Sequence, residues 1–226
     1  VMAHASGDKR FMEAFLSGED IHGKVGRDLG IERRFAKVVN FGVLYGMGFN
    51  KLGHTLGISE KEAKNIINNY ERTYSGYYEW KIKTEKFAER NHYIKTLFGR
   101  IRRLPTIASG DKRLYFGGLR QAVNTVIQGS AADIIKIAMI KLFHEYRAKN
   151  LDAHLMLQVH DELINEAIQS QCEESYVVMK HVMENSVKLS VPLEVDGKIC
   201  DNWGQMKDDN FTGLILPKSD TPIYLF

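Results

Sequence analysis

The stretch AHLMLQVHDELINEAI, residues 153–168, decides the fold class. It holds two apolar runs of strand length, 153–159 and 162–168, with only His160 and Asp161 between them. Two such runs joined by two residues read as an antiparallel hairpin. Alternation along LMLQV sends successive side chains to opposite faces, and the tight connection pushes Asp161 out at the sheet's edge. Whatever else the chain contains, it is not all-helical.

Beyond this hairpin the C-terminal part reads as a helix over about 171–188 and a strand, PLEVDGKI, over 192–199. The tail from 208, DDNFTGLILPKSDTPIYLF, has two prolines and no period, and reads as an irregular extension. On the N-terminal side a long helix is expected from about 112 to 148. Its later half, DIIKIAMIKLFHEY, is apolar nearly all round and is therefore expected to be buried. Before it, YIKTLFGRIRRLPTI turns around Gly99 and is closed by Pro105, the pattern of a short hairpin.

The other prolines are Pro192, Pro217 and Pro222, so the first hundred residues contain none and can carry long helices. Helices are expected over 2–17, ending in a glycine-containing break at SGED, and over 31–47, ending at Gly46 and Gly48. Ser59 and Glu62 form an S-x-x-E capping box. The helix behind it lines up Ala63, Ile66, Ile67, Tyr70 and Tyr74 on one face. A further helix covers about 77–90. The expected class is α+β, mostly helical, with a small antiparallel sheet in the C-terminal half.

With 226 residues, 44% hydrophobic and 26% charged, the chain is ordinary for a globular protein, which excludes disordered and fibrous classes. No run approaches the roughly 20 apolar residues that span a bilayer, and VMAHASGDKR lacks the order of a signal peptide. Cys172 and Cys200 are too few for a disulfide scaffold or a cysteine-based metal site. The expected setting is intracellular and cytoplasmic, with organellar and viral origins left open. A formal charge of +3 is too small to identify a partner; the distribution of charge decides that.

One segment concentrates charge and rings. In IERRFAKVVNFGVLYG, residues 31–46, Arg33, Lys37, Phe41 and Tyr45 recur every four residues. Four residues turn a helix by about 400°, so the row drifts only about 40° per step and stays on one face. A helix N-terminus already favours anions through its free N–H groups and dipole. Arg33 and Lys37 added there suit a polyphosphate. Phe41, about 6 Å further along the axis, offers a face for a sugar and base. A solvated basic start followed by core aromatics is the plainer alternative. At the hairpin, an exposed Asp161-Glu162 pair suits a hard cation, because Mg²⁺ typically takes one or two carboxylates plus substrate phosphates. An ordinary polar turn is the alternative there.

The exact strings choose between these readings. R-R-x-x-K-x-x-N-F-G-x-x-Y-G closely resembles the fingers-helix motif of family A DNA polymerases, the bacterial DNA polymerase I class, and V-H-D-E after an apolar strand resembles that family's second metal-binding motif. HASGD, residues 4–8, resembles the segment following the family's first aspartate motif. Asp20-Ile21-His22 resembles its D-I-H, TLFGRIRRLP its T-x-x-G-R-x-R-x-x-P, and RQAVNTVIQGSAAD its R-x-x-x-N-x-x-x-Q-G-x-A-A-D helix. The resemblance runs from residue 1 to about 207.

It implies template-directed DNA synthesis from deoxynucleoside triphosphates on primer-template DNA, with Mg²⁺ and no membrane partner. Asp161 is then the metal ligand and, with Glu162, the catalytic pair. His22, Arg33 and Lys37 hold the triphosphate, while Phe41 and Tyr45 shape the base-pair pocket. Arg100, Arg120, Asn124 and Gln128 face DNA, the last three as one polar stripe, and His160 sits by the primer terminus. By the same resemblance residues 1–22 are a palm-side helix, 23–92 the fingers, 93–207 the palm with its metal-binding hairpin, and 208–226 a tail.

Departures from the family pattern accompany these matches. The family's first aspartate lies just upstream of the segment matching VMAHASGD, as do the thumb and any exonuclease domain. The chain is therefore expected to be a fragment, fingers plus most of the palm, inactive by itself. The spacer from His22 to Arg33 is short for the family. A noncatalytic nucleic-acid-binding module is the rival reading, since the same basic stripes could hold DNA. A helical interaction domain is a third, and it leaves the motifs unexplained.

Overall fold

The structure, a computed structural model, describes residues 1–206 and 223–225. The chain forms two compact units, Val1–Ser130 and Ala131–Phe226.

The first unit opens with α1 (Met2–Ser6) and α2 (Lys9–Leu16). The single helix expected over 2–17 is broken, because Gly7 takes a left-handed conformation and Asp8 begins a new helix by accepting from Phe11 N–H. A third helix, α3 (Ile21–Leu29), lies where none was expected; Asp20 caps it by accepting from the N–H groups of His22 and Gly23. Next come α4 (Arg33–Leu44), α5 (Phe49–Leu56), α6 (Glu60–Thr73) and α7 (Ser75–Asn91). The Ser59–Glu62 capping box is complete in both directions. Ala63, Tyr70 and Tyr74 are fully buried on the predicted face of α6.

The centre of this unit is aromatic. Phe11 stacks on Tyr74 with centroids 4.2 Å apart, and Tyr70 and Tyr77 close around them. The short hairpin of β1 (Tyr93–Lys95) and β2 (Ile101–Arg103) follows, antiparallel, with Ile94 opposite Arg102. After a 3-10 turn opened by Pro105, α8 (Lys112–Asn124) covers a second small core of Ala88, Ile94, Leu104, Ile107, Ala122 and Val126.

Residues 112–148 are helical throughout, as expected, but as α8, one π-type turn over Thr125–Gly129, and α9 (Ser130–Ala148). The expectation that the later half is buried all round is corrected. Ile134, Ile135, Ala138, Leu142 and Tyr146 are buried on one stripe, whereas Ile140 and Phe143 are exposed on the other.

In the second unit, β3 (Ala153–Val159) and β4 (Glu162–Ala167) pair as predicted, with Val159 opposite Glu162 and two residues between. The expected strict alternation fails at one point. The register shifts between Leu155 and Leu157, so Met156 is an extra residue and both Met156 and Leu157 are exposed. Then follow α10 (Cys172–Glu184), β5 (Ile199–Cys200), the short α11 (Trp203–Met206) and β6 (Ile223–Leu225). The strand expected over 192–199 contracts to the two residues of β5. The tail, expected to be irregular, contributes β6, which pairs antiparallel with β4 and β5 in a sheet ordered β3-β4-β6-β5. The rest of the tail lies outside the described residues.

Buried Asn165 links β4 to α9 and, through it, to α10: its Nδ2 donates to the Tyr146 hydroxyl at 2.8 Å, and that hydroxyl donates to the Ser175 carbonyl at 3.2 Å. The two cysteines are free and buried.

Candidate functional site

α4 carries the row Arg33, Lys37, Phe41 and Tyr45. It stays helical to Leu44 and then stops at Tyr45 and Gly46, the latter with φ 71°. The opposite face, with Ala36, Val39, Asn40 and Val43, is buried. Burial of that face orients the helix, leaving Lys37, Phe41 and Tyr45 exposed together. The Phe41 and Tyr45 rings are nearly parallel, 12° apart in plane, with centroids at 6.3 Å.

His22, in the first turn of α3, lies against this row with its ring 5.4 Å from that of Phe41. The structure thus brings all five candidate nucleotide residues to one surface. Two further residues hold them there. The Asp20 carboxylate, which caps α3, accepts from Arg33 Nε at 2.5 Å and Nη2 at 3.2 Å. Asn40 Nδ2 faces His22 Nδ1 at 3.0 Å, and Asn40 Oδ1 accepts from the Tyr70 hydroxyl at 3.0 Å. Asp20 and Asn40 stand inside the D-I-H and R-R-x-x-K-x-x-N-F-G strings, and their tasks are visible only in these contacts.

The electrostatics follow this arrangement. The Arg33 hydrogen bond holds the Asp20 carboxyl below the usual carboxylate range. Burial lowers the affinity of His22 for a proton, helped by the charges of Arg33 and Lys37 and opposed by Asp20. The imidazole is therefore biased to the neutral form. An apolar cleft of about 270 Å³ runs beside these rings, lined in part by Ile21, His22, Asn40, Phe41 and Leu44.

A second surface of the same unit gathers three of the candidate DNA residues, Arg100, Asn124 and Gln128, whereas His160 belongs to the second unit. Arg100, Arg102, Asn124 and Gln128 line a cleft of about 330 Å³. Arg100 Nη2 donates to the Gly129 carbonyl at 2.9 Å, and Arg102 approaches the Thr125 hydroxyl at 3.5 Å. The Asn124 Oδ1 is buried without a protein partner and Gln128 is exposed. Arg120 lies one turn earlier, where its Cγ would be 2.6 Å from a Cβ placed on Gly46. The π turn, a rare element that often falls at functional sites, interrupts the i+4 spacing between Asn124 and Gln128. Periodicity alone gives no sign of it.

In the second unit, His160 and Asp161 form the two-residue loop between β3 and β4. His160 takes a left-handed φ of 55°, and its carbonyl accepts from Gln158 Nε2. Asp161 is exposed and Glu162 is half-buried at the first position of β4. Among the described residues no group of three or more His, Cys, Asp or Glu side chains is placed to hold a metal. The hairpin therefore offers hard oxygen donors, but only the pair. Such a pair fits a cation that completes its shell with water and substrate phosphate, as Mg²⁺ does, and does not fit an all-protein cage.

A mostly helical α+β chain with a cation-and-ring helix and a carboxylate hairpin is a distinct class of architecture. Sequence comparison assigns it: the family description "DNA polymerase family A" matches residues 1–205, and the chain belongs to that family. It is 42% identical over 218 residues to the thermostable DNA polymerase I of Thermus filiformis, covering 92% of this chain and 26% of that protein. It is 40% identical over 217 residues to DNA polymerase I of Streptococcus pneumoniae serotype 4, covering 92% and 25%. The chain thus spans about a quarter of the length of the curated relatives it matches. Among solved structures, the POL domain of Pol1 from M. smegmatis, in complex with DNA primer-template and dNTP, superposes with a TM-score of 0.82 at 35% identity. That match covers 86% of this chain and 36% of the other. No described helix is long and apolar enough to cross a membrane.

Proposed function

We propose that this chain supplies the nucleotide-binding helix, part of the DNA-contacting surface and a metal-ligating hairpin to a template-directed DNA polymerase acting in the cytoplasm. The observation that carries the reading is the single surface formed by His22, Arg33, Lys37, Phe41 and Tyr45, with cations at the start of α4 and exposed rings one and two turns beyond Lys37.

In nucleotidyl transfer the primer 3′-oxygen bonds to the α-phosphorus while the bond from that phosphorus to the bridging oxygen breaks and pyrophosphate leaves. The protein contributes positioning and charge neutralisation more than covalent chemistry. Arg33 and Lys37 would bind the β- and γ-phosphate oxygens and stabilise the charge that builds on the departing group. His22 would donate a hydrogen bond to the same group. Phe41 would support the sugar, and Tyr45 would border the nascent base pair. Arg100, Arg120, Asn124, Gln128 and His160 would contact primer-template.

Asp161, assisted by Glu162, would hold Mg²⁺, which supplies Lewis-acid neutralisation of phosphate oxygens when bound. In this reading residues 1–22 and 93–207 belong to the palm and 23–92 to the fingers.

Steady-state incorporation by the full-length gene product tests the nucleotide site. Lys37→Ala removes one charge-assisted contact, worth roughly 1.5–3 kcal/mol, and should raise the nucleotide KM by about 10- to 150-fold. Phe41→Tyr should change discrimination between deoxy and dideoxy sugars, because its hydroxyl enters the region where a 3′-hydroxyl is sensed. Unchanged KM and unchanged sugar selection would instead favour a noncatalytic nucleic-acid-binding module.

A further inference from the structure

Asn40 is a polar residue on the buried face of α4, 4% exposed, and Tyr70 behind it on α6 is fully buried. A buried amide inside an apolar helix face needs partners. Asn40 has two, and they lie in line: the Tyr70 hydroxyl donates to Oδ1, and Nδ2 donates to His22 Nδ1. In this arrangement the Tyr70 hydroxyl donates to Oδ1 and the amide NH₂ faces the histidine. A ring nitrogen that accepts carries no proton, so a neutral His22 must carry its proton on Nε2.

We infer that Tyr70 and Asn40 are positioning residues that lock His22 as the Nε2–H tautomer, so that it presents a hydrogen-bond donor, and not a lone pair, to the nucleotide's triphosphate. The inference deepens the proposed nucleotide site and rests on it. The relay joins three helices. α6 supplies a rigid hydroxyl from within the Phe11–Tyr74 aromatic stack, α4 relays it, and α3 carries the imidazole beside Phe41. A lone pair turned toward phosphate oxygens would repel them, so the wrong tautomer weakens binding even with His22 in place. Arg33 and Lys37 supply the charge, and His22 supplies direction.

The test uses the full-length gene product, labelled with ¹⁵N at histidine, as wild type, Tyr70→Phe, Asn40→Asp and Lys37→Ala, with His22→Ala to identify the His22 signals. Tyr70→Phe removes only the hydroxyl and keeps the buried ring. Long-range ¹H–¹⁵N correlation reads which ring nitrogen carries the proton, and steady-state kinetics read nucleotide KM and kcat. Wild type should show a bare Nδ1 and a protonated Nε2. Tyr70→Phe should mix the tautomers and raise nucleotide KM about 3- to 10-fold, the range for one neutral hydrogen bond, with kcat nearly unchanged. Asn40→Asp, whose carboxylate only accepts, should move the proton onto Nδ1.

A wild-type tautomer retained in both variants overturns the inference, even if KM rises, because the residues are then merely structural. A changed tautomer with unchanged KM also overturns it, provided Lys37→Ala still raises KM. If Lys37→Ala leaves KM unchanged as well, the nucleotide-site reading itself falls and the relay falls with it.

Discussion

Asp20 and Arg33 form a two-point ion pair, Nε to Oδ2 at 2.5 Å and Nη2 to Oδ1 at 3.2 Å, and the same carboxylate caps α3 through the N–H groups of His22 and Gly23. One side chain therefore sets both the guanidinium at the start of α4 and the backbone that carries the imidazole. Spacing along α4 cannot express this relationship, because Asp20 precedes Arg33 by a whole helix.

The pair has a pH signature. The Asp20 carboxyl is lowered from 3.8 chiefly by its hydrogen bond to Arg33. A depressed carboxylate contributes stability that is full above its unfolded value and is lost as pH falls through the folded one. Both side chains are about half exposed or more, so salt also screens them. Asp20→Asn keeps a competent cap but loses the charge. Denaturant midpoints of wild type and Asp20→Asn should differ at neutral pH and low salt, and should draw together as pH falls from 3.8 through the lower folded value, or in high salt. Midpoints that differ by the same amount under all these conditions would show that the pair does not act through charge.

Gly46 ends the exposed row on α4 with φ 71°, and the space where its Cβ would sit is filled by the Arg120 stem at 2.6 Å and 2.7 Å. Gly46→Ala should therefore cost about 1–2 kcal/mol for the left-handed backbone, with a further clash term. Arg120→Ala in the same chain should recover the clash and leave the backbone cost. A thermal or denaturant double-mutant cycle separates the two, and full additivity would contradict the contact.

In the second unit, Tyr146→Phe keeps the buried ring and deletes the hydroxyl between Asn165 and Ser175. It should destabilise by about 1–3 kcal/mol, the cost of leaving buried polar groups unpaired. Equilibrium unfolding measures it; a change below about 0.5 kcal/mol would mean the bonds are made equally well by other partners.

The readable parts of this molecule are those where one period or one local device dominates. The β3–β4 hairpin announces itself by two apolar runs and a two-residue gap, α6 by its capping box, and α4 by its four-residue row. α3 and α5 were not legible. Gly23, Gly26 and Gly53 dilute their helical signal, and α3 exists because the Asp20 cap and burial of Val25 outweigh those glycines. The bulge at Met156 and the π turn over Thr125–Gly129 each insert one residue into a regular ladder, and neither leaves a compositional trace. The contraction of the 192–199 strand and the pairing of β6 are settled by which backbone finds an edge, which is non-local.

The site shows the same division. His22, Arg33, Lys37, Phe41 and Tyr45 were legible because they share motifs. Asn40 and Tyr70 act through a contact thirty residues apart. Asn40 stands in the same string as Arg33, Lys37, Phe41 and Tyr45, and the signal for its task is that it is a polar residue on the buried side of an amphipathic helix.

If this chain serves metal-assisted nucleotidyl transfer as proposed, the Asp161 carboxylate is the group it can least spare. Asp161→Asn in the full-length gene product keeps the size of the turn side chain and removes its charge. Primer extension with excess Mg²⁺ is measured beside primer-template affinity. Asp161→Asn should lower extension by more than about a thousand-fold, since a metal contributes several kcal/mol of transition-state stabilisation, with DNA affinity changed little because phosphate contacts from Lys and Arg supply most of it. Extension within about tenfold of wild type, a difference of only about 1.4 kcal/mol, would contradict the claim.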